Sequence, residues 1–204
     1  MIKFENVSIK YIPDFYCLYN FNKTISGNTL FVGDDFLGAP SVLRLIAKLD
    51  KQYEGNIFIN DVNIKSIKDK DLNISYLPKS PTLFENKNAF KNWYYPLKIR
   101  KIGKKQAKNI IESAFLGYNL KNLKNFKHCS ESTKKIYALV RAVIRKPKYI
   151  LLENFFEDLE SEHTELATKI LKEISTSTTI IACEKDIENL KFFQDFEVVS
   201  FYEF

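Results

Sequence analysis

Three short runs restrict the fold more than any other feature of the chain: Thr29-Leu30-Phe31-Val32, Tyr149-Ile150-Leu151-Leu152 and Thr179-Ile180-Ile181-Ala182. Each is apolar at nearly every position, and does not alternate with period two. A strand of this kind is buried on both faces, which is the habit of a parallel sheet covered by helices. Helical spacing separates the runs. Val42, Leu43, Leu45, Ile46 and Leu49 fall on one helical face, and similar patterns run over Lys104 to Leu116, Ser132 to Ile144 and Glu162 to Ile174. Strands alternating with helices predict an α/β fold.

The N-terminal segment reads differently. Ile2, Phe4 and Val7 lead to Tyr11, then Tyr16–Phe21, with turn signals at Pro13-Asp14 and Gly27-Asn28. These are short strands joined by turns, as in an antiparallel sheet. Gly55–Ile59 and Ile74–Leu77 are further strands, and Pro78 and Pro81 close the latter. Glu197–Phe201 is the last.

Charge is uneven. From Lys87 to Lys127 there are eleven Lys/Arg and one acid, Glu112, whereas from Glu153 to Phe204 there are thirteen acids and four lysines. A block of this sign is a candidate face for polyanions or anionic lipid. Cys17, Cys129 and Cys183 are far apart and lack metal-ligand spacing, which argues against a disulfide scaffold or zinc module. No apolar stretch approaches the roughly 20 residues that span a bilayer, and no signal-peptide core opens the chain, so a soluble, cytoplasmic protein is expected. His128 and His163 have no nucleophile or ligand partner near them in sequence, which makes them structural or solvated residues.

The first buried run ends in Gly33-Asp34-Asp35-Phe36-Leu37-Gly38-Ala39-Pro40-Ser41. Ligands of open α/β sheets sit at the carboxyl ends of strands. The loop has the G-x-x-x-x-G spacing of a phosphate-binding loop, but Ala39 and Pro40 stand where Lys and Ser/Thr belong.

The order of segments around this loop resembles an ABC-type ATPase nucleotide-binding domain over nearly the whole chain. Tyr11 matches the aromatic that stacks on adenine. Leu43–Asp50 and Glu54–Ile57 follow the loop as in that family. Tyr76-Leu77-Pro78-Lys79 stands at the glutamine loop, and Cys129-Ser130-Glu131-Ser132-Thr133 at the signature. Ala138–Ala142 and Lys146-Pro147 lead to the Walker B strand Tyr149–Glu153, with Asn154 next. Asp158-Leu159-Glu160 resembles the D-loop, and Cys183-Glu184-Lys185 stands at the switch histidine. The resemblance implies a P-loop NTPase-like core, mainly parallel with N-terminal antiparallel strands, as one domain over 1–204. Residues 1–85 and 135–204 form its α/β core and 86–134 an inserted helical subdomain.

The scaffold positions match, and the chemical ones mostly do not. Ala39 supplies no charge to the phosphates, and Pro40 has no N–H to offer. Asp34 and Asp35 add negative charge. Ser41 retains a hydroxyl for magnesium, though one position late. Glu153 keeps the Walker B acidity. Asn154 replaces the glutamate that polarises water, and an amide is no base at neutral pH. Lys79 replaces the glutamine, and Glu184 turns an attractive contact with the γ-phosphate into a repulsive one. General-base assistance alone is worth ~10²–10⁴ in rate. Glu131 and Ser132 replace both signature glycines, leaving Ser130 as the intact phosphate donor. The expectation is therefore a pseudo-ATPase with no catalytic residue and no metal site. Nucleotide binding through Tyr11, Gly33, Gly38, Ala39, Pro40, Ser41 and Glu153 would be weak or lost, and Mg-ATP would be a weak ligand at most.

The aromatic run Phe84, Phe90, Trp93, Tyr94, Tyr95 lies where the resembled family forms the groove for a coupling helix of its membrane partner. Pro96–Arg100 with Gly103-Lys104-Lys105 resembles the FtsE, LolD and MacB branch, whose FtsE-like members act with FtsX in cell division by controlling peptidoglycan hydrolases. The resemblance thus implies a dimer, with itself or with a second ABC subunit, docked peripherally on the inner face of the cell membrane. Its partner would be a transmembrane permease-like subunit, an FtsX-like one included. The alternatives are an active ATPase in which Lys79 stands in for the loop lysine, and, ranked last, a nucleic-acid-associated protein.

Overall fold

The computed structural model describes residues 1–33, 38–185 and 191–202. Asp34 and Asp35, expected to repel phosphate, lie outside the described residues. The described chain divides into two compact units. One comprises Met1–Tyr76, Lys148–Asn154 and Thr179–Phe204, and the other Leu77–Pro147 and Phe155–Thr178. The region expected to be a helical insertion, 86–134, falls within the second.

The first unit holds two sheets. The antiparallel one is built from β1 (Ile2–Ile12), β2 (Phe15–Ile25), β4 (Glu54–Ile59) and β5 (Val62–Asn63), in the order β2-β1-β4-β5. Asp14, with φ 64, turns the β1–β2 hairpin. The other sheet has the order β6-β7-β8-β3-β9, from β3 (Thr29–Val32), β6 (Ile74–Leu77), β7 (Tyr149–Glu153), β8 (Thr179–Glu184) and β9 (Glu197–Ser200). The pairings of β7 with β8, β8 with β3, and β3 with β9 are parallel. The three apolar runs of the sequence are thus neighbouring strands, which is why both of their faces are apolar.

Helix α1 (Ala39–Ile46) follows β3 and buries Val42, Leu43, Leu45 and Ile46 against Phe31, Leu151 and Ile181. It is shorter than its apolar spacing predicts. Lys48 adopts φ 57, and Leu49 lies outside the helix and is exposed. Gly38 precedes the helix with φ 88, and a Cβ there would stand 2.2 Å from the Cys17 carbonyl oxygen of β2. Glycine is required here on both counts.

The second unit contains α2 (Ala89–Ile99), α3 (Lys104–Gly117), α4 (Glu131–Val143) and α5 (Ser161–Ile174). Helix α2 is obscured in the sequence by Pro96, which lies inside it. Asn88 caps it by accepting from Lys91 N at 2.8 Å. Buried Asn92 then clamps the preceding segment to the helix. Its Oδ1 accepts from Phe84 N at 2.8 Å and its Nδ2 donates to Phe84 O at 3.1 Å. Trp93 stacks on Phe115 with centroids 4.4 Å apart, and its indole donates to Tyr137 O at 2.9 Å. Among the described residues no helix is long and apolar enough to cross a membrane.

Gly38→Ala is expected to lower stability by at least about 1–3 kcal/mol, because the left-handed backbone and the Cys17 carbonyl both reject a methyl group. Urea denaturation measures this, and a change within the ordinary surface range would contradict the close approach.

Candidate functional site

In the first unit, parallel register gathers the strand ends. Val32 pairs with Glu184 and Glu153 with Cys183, so β3, β8 and β7 terminate side by side. Backbone bonds extend the alignment by one residue each: Gly33 N donates to Glu184 O at 3.3 Å and Asn154 N to Cys183 O at 2.8 Å. Gly33, Glu153, Asn154 and Glu184 are thereby brought together at the position where such sheets take ligands. Asn154, with φ 43, and Glu184 are both buried. The Glu153 carboxylate accepts from the Tyr76 hydroxyl. The sequence singles out Tyr76 only as part of the glutamine-loop segment, and the pairing is visible only once β6 and β7 are adjacent.

Ala39 and Pro40 are the first two residues of α1, and both are buried. A helix start offers its unpaired N–H groups to an anion. Here the second of them is missing, because Pro40 has none, and Ala39 follows Gly38 in the sequence where a phosphate-binding loop has its lysine. Buried Ser41 follows. The exposed ring of Tyr11 is anchored through its hydroxyl, which donates to Asp50 Oδ2 at 2.5 Å. Asp50 in turn takes a bidentate bond from Arg44, Nε to Oδ2 at 2.9 Å and Nη2 to Oδ1 at 3.0 Å. The Asp50 carboxylate holds the guanidinium well above its ordinary range. Burial, and then the bond to Asp50, push the Tyr11 phenol up to about 12, with the Ser41 hydroxyl pulling the other way. Tyr11 therefore stays a protonated donor throughout the physiological range, tied to the helix that follows the loop.

The second unit carries the glutamine-loop, signature and D-loop counterparts. Lys79 Nζ lies 2.9 Å from both Glu157 carboxylate oxygens. Ser130 caps α4: its Oγ accepts from Thr133 N at 3.1 Å and its hydroxyl donates to Thr133 Oγ1 at 3.0 Å. Glu131 pairs with Lys134 at 2.9 Å, and Lys134 also reaches Glu85 at 3.0 Å. Ser132 is buried. Its Oγ accepts from Glu160 N at 3.0 Å and lies 2.6 Å from His163 Nδ1.

Two expectations need correction. His163 has a hydroxyl partner, which sequence distance concealed. The arrangement is not a nucleophile–base pair oriented by an acid, since the Glu160 carboxylate approaches the same ring nitrogen, at 3.7 Å, and Ser132 is buried. Trp93 is 0% exposed and belongs to the core of its unit, so it cannot line a groove. Phe90 and Tyr94 are half-buried and stack on each other at 6.2 Å. Within this run, the exposed aromatic contact is Phe84 with Tyr95, edge to face at 5.4 Å.

Sequence reasoning passed over Lys135. Its ammonium is buried and donates to Phe155 O at 3.1 Å and Glu157 O at 2.5 Å. A signal was present: Ser132, Lys135, Ile136 and Leu139 fall at i, i+3, i+4 and i+7, so a charge sits in a buried stripe. The lysine holds in place the backbone that precedes the D-loop counterpart.

The chain's residues 22–156 match the family described as ABC transporter. It is 28% identical over 135 residues, 65% of this chain and 38% of the relative, to the sn-glycerol-3-phosphate import ATP-binding protein UgpC of Yersinia pestis. It is 29% identical over 160 residues, 75% of this chain and 44% of the relative, to the spermidine/putrescine import ATP-binding protein PotA of Clostridium acetobutylicum. The chain spans less than half the length of these curated relatives. The fold matches a solved ATP-binding cassette, dimeric and bound to ADP and Pi after hydrolysis. The TM-score is 0.84 at 21% identity, over 98% of this chain and 94% of that one. A component of an ABC transporter complex from Clostridium perfringens gives a TM-score of 0.80 at 20% identity, over 98% of this chain and 83% of that one.

Lys135→Met is expected to lower stability by about 1–3 kcal/mol, because the Phe155 and Glu157 carbonyls lose a buried donor. Thermal and urea unfolding measure it, and a neutral result would mean that water replaces the amine.

Proposed function

Because the chain belongs to the ABC transporter family, we propose that it is a degenerate ABC cassette, a structural or regulatory subunit with little or no ATP hydrolysis. It docks peripherally on the cytoplasmic side of a transmembrane permease-like partner, and pairs with itself or with a second ABC subunit. The observation that carries the reading is the start of α1, where buried Ala39 and Pro40 leave the loop without a cation and with one amide fewer. Asn154 at the position of the water-polarising glutamate, and Glu184 where a histidine would meet the γ-phosphate, act in the same direction. The signature counterpart is poorly suited to a partner's nucleotide as well, since Ser130 serves as a helix cap and Glu131 is a carboxylate.

An active enzyme that uses Lys79 as a substitute cation is the weaker reading. Its ammonium is already held by Glu157. Lys79 can serve phosphate only by giving up that pair.

Two partner types fit a cassette of this kind. The relatives' names, import ATP-binding proteins, favour an import-type permease over an FtsX-like subunit in cell division. The exposed Phe84–Tyr95 contact, Phe84 at 56% and Tyr95 at 37% exposure, is the apolar surface we assign to that docking.

Calorimetric titration with Mg-ATP tests the nucleotide reading. The expected result is weak or no binding, a gain in affinity for Ala39→Lys, and no turnover above the buffer rate. Steady Mg-ATP hydrolysis that Lys79→Ala abolishes would establish the active enzyme instead. For docking, a Phe84→Ala, Tyr95→Ala double variant is expected to recover less permease-like partner from detergent-solubilised membranes while melting normally. Undiminished recovery would remove this surface from the interface.

A further inference from the structure

The turn between α2 and α3 carries Lys98, Ile99, Arg100, Lys101, Ile102, Gly103, Lys104 and Lys105, five bases in eight residues without an acid. It is a built element. Ile102 N donates to Leu97 O at 3.1 Å and Lys101 N to Lys98 O at 2.9 Å, with Lys101 left-handed at φ 59. These are the paired closing bonds of a Schellman motif, and they hold the chain in one sharp elbow. All five bases are exposed. Among the described residues, the one ion pair made by the lysines between Lys87 and Lys127 is Lys108 with Glu112 at 3.6 Å. At the elbow's tip Ile99 is 81% exposed, an isoleucine held in water between cationic side chains.

We propose that this elbow is a docking surface for an anionic lipid bilayer. Clustered bases are drawn to negatively charged headgroups, each lysine near the surface adding to the attraction. Lysine stems also lie along apolar material while their ammonium groups remain in water. Ile99 decides between the two polyanions such a patch could meet. An aliphatic tip has nothing to contact on a phosphate backbone, whereas at a bilayer it enters the boundary between headgroups and acyl chains. The elbow thus supplies a lipid contact of its own, separate from the aromatic surface assigned to the permease. It does not depend on that assignment.

The test uses the whole chain and vesicles that contain no permease, so its outcome is independent of the proposed docking. Sedimentation with phosphatidylcholine vesicles containing phosphatidylglycerol is expected to carry the protein down, and pure phosphatidylcholine vesicles are not. Replacing Lys101, Lys104 and Lys105 together by glutamine is expected to reduce partitioning on the order of a hundredfold. Ile99→Ser is expected to reduce it about tenfold while leaving the affinity for single-stranded RNA unchanged. Equal partitioning onto both vesicle types would overturn the proposal. So would vesicle binding indifferent to Ile99→Ser in a protein whose RNA binding the triple variant abolishes, an outcome that assigns the patch to nucleic acid.

Discussion

The parallel register of β3, β8 and β7 is the constraint on which the rest depends. It ends three buried strands at one level, and bonds from Gly33 to Glu184 and from Asn154 to Cys183 hold the following residues there. Gly33, Glu153, Asn154 and Glu184 are placed by this alignment, whatever their side chains are. The close approach of Gly38 to the Cys17 carbonyl then fixes where α1 begins. A single extra methyl group at that point would force β2 and the start of the helix apart. Backbone geometry of this kind does not require a phosphate, so it holds whatever side chains the loop carries.

The residues that the sequence singles out as candidate contacts each have a partner within their own unit. Lys79 pairs with Glu157, Glu153 with Tyr76, Ser130 with Thr133, Glu131 with Lys134 and Ser132 with His163. A buried charged or polar group must be satisfied within the protein, and most of these partners lie a few residues away or on a neighbouring element. Exposed members of the set contribute little to stability individually. The buried ones, Ser132 together with the Lys135 ammonium, matter more, because removing either leaves donors or acceptors stranded.

Much of the fold was legible because its signals are local. The parallel strands announce themselves through runs apolar on both faces, and α3, α4 and α5 through helical spacing. Helix α2 was hidden by Pro96, since an interior proline reads as a break, and the Asn92 clamp at its other end leaves no sequence trace because its partners are backbone atoms. Trp93 could not be separated from its aromatic neighbours by pattern alone. Only packing against Phe115 and the bond to Tyr137 put it inside. His163 looked isolated because Ser132 is remote in sequence.

By itself the sequence determined the α/β class, the order of the segments and which chemical groups are missing at the loop, since composition and spacing are properties of the chain. Tertiary structure decided what the remaining groups do. Whether a lysine is a free cation or one half of a pair, and whether a tryptophan is a surface or a core, depends on atoms brought close from distant positions. That proximity decides electrostatics and burial, which fall off within a few ångströms and leave no periodic trace in the sequence.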